Sequence, residues 1–221
     1  MMNIDTHAAL AGSRPVICGD VRSVPNQWAA QKRAFDVVFA LAVLLVSSPL
    51  LIVAMLAICL SSPGNPMCIQ ERVGRYGHVY RMYKLRTMIV GAERLPQPIL
   101  QKQRDDKRIL PIGRILRKLS LDELPNLINV LRGEMSIVGP RPLLVKEHAL
   151  CIERHGRAAA EQRLQTRPGL TGLWQVSGRA QLHFDERIQL DIAYTNTWTP
   201  QSDLKIILKT IPVVCLGQGA Y

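Results

Sequence analysis

Residues 37 to 60, VVFALAVLLVSSPLLIVAMLAICL, carry no charge. At 1.5 Å per residue, about 24 helical residues reach across a hydrocarbon layer of roughly 30 Å. About fifteen of them are Leu, Ile, Val or Phe, and at about 0.3–0.6 kcal/mol each they favour insertion by several kcal/mol before polar terms. A buried soluble helix is the weaker expectation. Pro49 cannot donate a backbone hydrogen bond to Leu45, and its ring crowds that carbonyl, so a sharp kink is expected at Ser47-Ser48-Pro49. Two shapes fit: a kinked spanning helix, or a re-entrant helix-break-helix that enters and leaves by one face. Lys32 and Arg33 precede the run, and Arg72, Arg75 and Arg81 follow it. Basic flanks mark the cytoplasmic side. Both flanks are basic, which leans toward the re-entrant form, but the residues alone leave both open.

Lys and Arg number 28 against 17 Asp and Glu, a formal net charge of +11. Such an excess points to an anionic partner: nucleic acid, acidic lipid or a phosphorylated substrate. Aromatic residues make up only 5%, too few for a base-stacking surface, so nucleic acid is the least favoured of these. The cysteines (Cys18, Cys59, Cys68, Cys151 and Cys215) form no CxxC and read as scattered thiols. His148 and His155 could share a helix face, but read as a solvated pair rather than metal ligands.

Three regions are expected. Residues 1–30 read as a mobile tail and not as a signal peptide. Residues 31–62 form the membrane segment, with its break at Ser48-Pro49. Residues 63–221 form a soluble α/β mixture. Within it, residues 67–90 alternate around Gly74 to Gly77 and predict a β-hairpin. Residues 92–107 predict a helix-loop broken by Pro96 and Pro98. Residues 112–119 and 121–132 predict helices, the second closed by Gly133. Further helices are expected over 143–165, 183–195 and 203–216.

The stretch LSLDELPNL, residues 119–127, sets Asp122 beside Glu123 in this basic chain. Ser120 to Glu123 fits a capping box, with Ser120 as N-cap. Both carboxylates would then lie at a helix N-terminus, where the dipole favours their ionised form. An ionised carboxylate among cations is also what a phosphorus-directed nucleophile requires. Neighbouring helical residues point about 100° apart, so the two cannot act as a matched pair across one bond. One could attack while the other positions a metal or second substrate.

Cations cluster in motifs: Lys84 and Arg86 in YKLRTM, Arg114, Arg117 and Lys118 just before the carboxylates, Arg141 in GPRP, Arg167 in RPG and Arg179 in SGR. Arg suits bidentate phosphate contacts. Proline on both sides of Arg141 stiffens its presentation. RPGLTG and VSGR read as similar loops. Solvated surface turns are the bland alternative.

The chain resembles the bacterial sugar transferases, or monotopic phosphoglycosyl transferases. The matching segments are KRAFDVV through SSPL, RVGR, YKLRTM, LSLDELPNLINVLRGEMSIVGPRP, RPGLTGLWQVSGR and LDIAYTNTWTPQSDLKIILKT, in family order over about residues 31–216. The first thirty residues match nothing. Leu85 stands where an aromatic is common and Thr199 where serine is common.

The resemblance implies an α+β, mainly helical fold. It would have a re-entrant membrane helix broken at Ser48-Pro49, amphipathic interfacial helices and a short β-hairpin, on the cytoplasmic face of the bacterial inner membrane. It implies transfer of a sugar 1-phosphate from a UDP-sugar to undecaprenyl phosphate, with UMP released. Asp122 would be the nucleophile and form a covalent phosphosugar intermediate. Glu123 would assist as base or as metal positioner, and Mg²⁺ would bind at Asp122. Lys84, Arg86, Arg117, Arg141, Arg167 and Arg179 would bind phosphate, and Asp191 matches a motif carboxylate. Larger family members carry extra spanning segments, so a minimal form is expected. The ending GQGAY resembles members acting in exopolysaccharide assembly on UDP-glucose or UDP-galactose. Inner-membrane lipids, and a second copy of the chain, are further candidate partners. Two other classes compete: a simple glycosyltransferase, which would release UDP and want a Rossmann-like pattern, and a basic membrane scaffold, which would not need Asp122.

Overall fold

The uncharged run becomes part of one long helix, α1, spanning Asn26–Ser61 of a computed structural model that describes residues 26–92, 106–178 and 182–215. The expectation of a mobile tail over residues 1–30 fails at its end, since residues 26–30 already belong to α1; the rest of the tail, Pro96 and Pro98, Arg179 and the GQGAY ending lie outside the described residues. The helical backbone of α1 continues through Pro49 rather than stopping there. Its side chains explain why. Pro49 leaves the Leu45 carbonyl without its usual donor. The Ser48 hydroxyl donates to that carbonyl at 2.8 Å, and Ser47 donates to Val43 at 2.7 Å. A freed carbonyl in an apolar setting is thus satisfied within the helix.

One stripe of α1 faces the rest of the molecule. Asp36, Ala40, Ala54 and Ile58 are buried, at spacings that keep one helical face inward. The opposite stripe, with Val38, Leu41, Leu45, Val53, Leu56 and Leu60, is apolar and exposed. Only 11% of the most apolar window of this helix is buried inside the molecule, unlike the core helix of a soluble protein.

The hairpin forms as expected. β1 (Met67–Val73) pairs antiparallel with β2 (Val79–Leu85), from Met67 opposite Leu85 to Val73 opposite Val79. A 3-10 turn at Arg75–Gly77 joins them, with Tyr76 and Gly77 at positive φ. Next come α2 (Pro111–Lys118), with proline in its first turn, and α3 (Asn126–Arg132), which Gly133 ends at φ 82°. A second sheet was not foreseen. β3 (Ser136–Val138) pairs in parallel with β4 (Gly169–Thr171). RPGLTG is therefore partly a strand. A Cβ on Gly169 would stand 2.1 Å from the Gly139 nitrogen, so glycine is required for these chains to touch.

The remaining helices are α4 (Val145–Arg163), α5 (Leu173–Val176), α6 (Phe184–Thr197) and α7 (Pro200–Cys215). Gly156, at φ 81° and ψ 161°, interrupts α4, which the sequence reads as one helix. The main core joins Ala40 of α1, Tyr80 and Met82 of β2, Leu127 and Val130 of α3, Ile137 of β3 and Ile206 of α7. A second cluster joins Ala54 and Ile58 of α1 to Leu85 and Leu116. Both halves of the apolar helix therefore pack on the same body. On α7, Leu204, Leu208 and Ile211 form an exposed apolar stripe at helical spacing.

The histidines correct an expectation. His155 takes Asp185 at 2.8 Å, but His148 is buried on the inner face of α4, its Nδ1 without a partner. Burial, and then Arg163, hold its pKa at about 4 against 6.5 for a free imidazole. The folded state keeps His148 neutral to about pH 4, whereas the unfolded chain takes up the proton near 6.5. Stability is therefore lost as pH falls through that window, by about 2 kcal/mol after allowing for residual screening. Urea unfolding in detergent at a series of pH values should show this slope. A His148→Leu variant that keeps the full slope would refute the assignment.

Candidate active site

Asp122 and Glu123 sit on a 3-10 turn, Leu121–Glu123, between α2 and α3. The capping box is not formed. Ser120 adopts the left-handed conformation, φ 55° and ψ 22°, and makes no side-chain cap bond. An N-cap needs extended backbone, whereas here the chain must reverse straight after α2, and Ser120 makes that reversal. Pro125 occupies the N-cap position of α3 instead. The carboxylates still precede the N-terminal end of α3, one turn earlier than the sequence suggests. Leu121, next to Asp122, packs against the cluster that Ala54 and Ile58 of α1 form with Leu85 and Leu116. The carboxylate pair thereby sits beside the core that α1 shares with β2 and α2.

Cations converge on the turn. Alternation along β2 puts Met82 and Lys84 on one face, and Lys84 Nζ donates to Glu123 Oε1 at 2.6 Å. Arg117 reaches from α2, its Nε donating to Thr87 Oγ1 at 2.8 Å. Burial pulls the Arg117 guanidinium below its usual pKa, and Asp122 is the strongest of the charges that oppose this. A cleft opens beside the pair, bordered by Glu123, Asn126, Arg141 and Gln175.

Arg141 separates this cleft from a second one, which Glu147, Phe184 and Arg187 also line. The guanidiniums of Arg141 and Arg187 lie 4.6 and 5.6 Å from the Trp174 ring centroid. Arg72 stands close enough to feel Arg141: burial and then that charge lower its pKa to about 10, while Glu147 opposes them. Three guanidiniums are thus gathered here, and Arg72 pairs with Glu147 at 3.5 Å.

The backbone of Arg141 is gripped from below. Its N–H donates to the Asp191 carboxylate at 3.1 Å, and its carbonyl accepts from Arg163 Nη2. Asp191 and Arg163 form an ion pair at 2.7 Å with side chains 2% and 0% exposed. Asp191 therefore acts through Arg141 and does not line the carboxylate cleft. Two other expected phosphate ligands have structural work. Arg86 donates to the carbonyls of Ser62 and Pro63, fastening the end of β2 to the end of α1. Arg167 donates to the Gly133 carbonyl at 2.7 Å, and Arg33 takes the carbonyls of Val130 and Leu131, so the two together cap α3.

The structure thus gathers Asp122, Glu123, Lys84, Arg117 and Arg141, and sets Arg86 and Arg167 to one side. Sequence reasoning missed Arg187, Arg163, Asn126 and Gln175. Gln175 lies inside the quoted LWQVSGR motif, while Arg163 carries no local signal. Among the described residues no three His, Cys, Asp or Glu side chains form a metal cluster. Two adjacent carboxylates do suit Mg²⁺, which usually takes one or two carboxylates and fills its shell with substrate phosphates and water.

Residues 27–217 match the family model for bacterial sugar transferases. The chain is 41% identical over 203 residues to the exopolysaccharide production protein ExoY of Sinorhizobium fredii, covering 86% of this chain and 88% of that protein. It is 44% identical over 197 residues to a UDP-glucose:undecaprenyl-phosphate glucose-1-phosphate transferase of Caulobacter vibrioides, covering 86% and 72%. It is 38% identical over 204 residues to an undecaprenyl-phosphate galactose phosphotransferase of Salmonella typhimurium, covering 86% of this chain and 41% of that protein.

Proposed function

The chain belongs to the bacterial sugar transferase family, and on that premise we propose that it is a polyprenyl-phosphate hexose-1-phosphate transferase of exopolysaccharide synthesis. It moves hexose 1-phosphate from a UDP-hexose, glucose or galactose, to undecaprenyl phosphate. The observation that carries this reading is the position of the carboxylate turn. Asp122 follows a leucine packed against the cluster that the apolar helix shares with β2 and α2, and stands among Lys84, Arg117 and Arg141. A lipid-borne phosphate and a water-soluble nucleotide sugar can meet only at such a boundary.

Asp122 attacks the β-phosphorus of the donor. A carboxylate oxygen–phosphorus bond forms, the bond to the α-phosphate oxygen breaks, and UMP leaves. An oxygen of undecaprenyl phosphate then attacks the same phosphorus and frees Asp122. Anion attacking anion is repelled, so Lys84, Arg117 and Arg141 lower the barrier by offsetting phosphate charge. Asp122, with Glu123 beside it, would hold Mg²⁺, which supplies further charge neutralisation on the phosphates when bound. Lys84 holds the Glu123 carboxylate in place.

The membrane arrangement belongs to the same proposal. Both halves of α1 pack on one body while its outer stripe is apolar. This favours a helix that dips into the cytoplasmic face of the inner membrane and returns, with Ser48-Pro49 near its deepest point. The exposed stripe of α7 rests on the same surface.

Nucleotide release tests the reaction. Purified protein with Mg²⁺, undecaprenyl phosphate and a panel of UDP-sugars should yield UMP from at least one hexose donor. Release of UDP would instead mean transfer of the sugar alone and would sink the proposal.

A further inference from the structure

Two asparagines on α3 are treated in opposite ways. Asn129 is fully used: its Nδ2 donates to the Arg81 carbonyl at 2.7 Å and to Glu134 at 2.6 Å, and its Oδ1 accepts from the Tyr83 N–H at 3.1 Å. Asn126 lies one turn earlier and is 2% exposed, yet its Oδ1 is buried with no partner. Buried amides are seldom left so. Asn126 borders the cleft beside Glu123, and so does Gln175. Gln175 Nε2 donates to the Leu170 carbonyl at 3.0 Å, which fixes the amide so that Oε1 remains as acceptor. That Oε1 is also buried and unpartnered.

We propose that this cleft is the hexose subsite, with Asn126 and Gln175 as the residues that select among donor sugars by their hydroxyl groups. The inference rests on the transferase reading above. Its chemistry argues against two other occupants at these amides. A phosphate offers only acceptors, so it cannot satisfy Gln175 Oε1, whereas a hydroxyl donates as well as accepts. A uracil ring would favour an aromatic platform. This cleft offers Met82 and Leu170, which suit the C–H face of a sugar, while Trp174 stands with Arg141 and Arg187. The cleft adjoins Glu123, the neighbour of the residue that attacks the phosphorus bearing the sugar.

The test compares donors. The full chain in lipid nanodiscs with undecaprenyl phosphate is given UDP-glucose, UDP-galactose and analogues lacking a single ring hydroxyl, and kcat/KM is read from UMP release. Wild type should disfavour at least one deoxy donor by about tenfold or more, because a site built to bond a hydroxyl rejects the analogue without it. Asn126→Ala and Gln175→Leu should each slow the parent donor and leave that deoxy donor nearly unchanged, so that the ratio falls toward one. Asn126→Ala should also melt no lower than wild type, since it deletes an unpartnered buried amide. Equal slowing of every donor, no slowing of any, or a lower melting temperature with the ratio intact would each overturn the subsite while leaving the transferase reading standing. Release of UDP would overturn that reading itself.

Discussion

Asp122→Asn should release no detectable UMP, a loss of about 10³-fold or more, since removing a nucleophile forfeits most of the catalytic advantage of its site. The substitution preserves the size of the side chain and leaves the packing of Leu121 against its cluster untouched. Folding should therefore be normal, and a melting curve would check this. Donor alone, labelled in its sugar, should leave wild-type protein carrying one covalent phosphosugar, and Asp122→Asn carrying none. Glu123→Gln should be less severe, because Lys84 loses a charged partner at 2.6 Å while the attacking group remains. Equal covalent labelling of Asp122→Asn and wild type would remove Asp122 from the mechanism, whatever happened to turnover.

The second large effect lies under the site. Asp191→Ala strands the Arg163 guanidinium in a position where its side chain is 0% exposed. Breaking a buried ion pair in this way costs about 3–5 kcal/mol. For a chain of this size that lowers the melting temperature by roughly 6–20 °C, measurable by thermal unfolding in nanodiscs. Asp191→Leu combined with Arg163→Met removes both charges and should recover much of that loss. Activity should not recover with it, since Arg141 would still lack both partners of its backbone. If stability and turnover returned together, the placement of Arg141 would not depend on the pair.

These two sites were not equally visible in the chain. The carboxylate pair stands out in a basic sequence, and its neighbours Lys84 and Arg117 are in adjoining motifs. The backbone that presents the pair was misjudged. A serine three residues before a glutamate carries the same letters whether it caps the next helix or ends the previous one. The outcome depended on how tightly α2 had to turn back.

Asn126 was invisible for a different reason. Nothing local separates it from Asn129, and only the surrounding packing decides which amide is satisfied. Arg86 and Arg167 show the converse. Their motifs suggested phosphate, but the carbonyls at the ends of α1 and α3 lay within reach and took the guanidiniums.

What the chain determines alone is whatever short-range chemistry dictates. An uncharged apolar run makes one long apolar helix, alternation around Gly74 to Gly77 makes a hairpin, and Gly133 stops α3. The order of the motifs determines the family. Tertiary structure alone decided which distant groups meet. Asp191 finds Arg163 across 28 residues, β3 finds β4 through a glycine contact, and both halves of α1 find one body. The physical reason is range. Periodicity and turn chemistry act over a few residues, whereas a buried charge or amide takes its partner from whatever the packed core brings beside it.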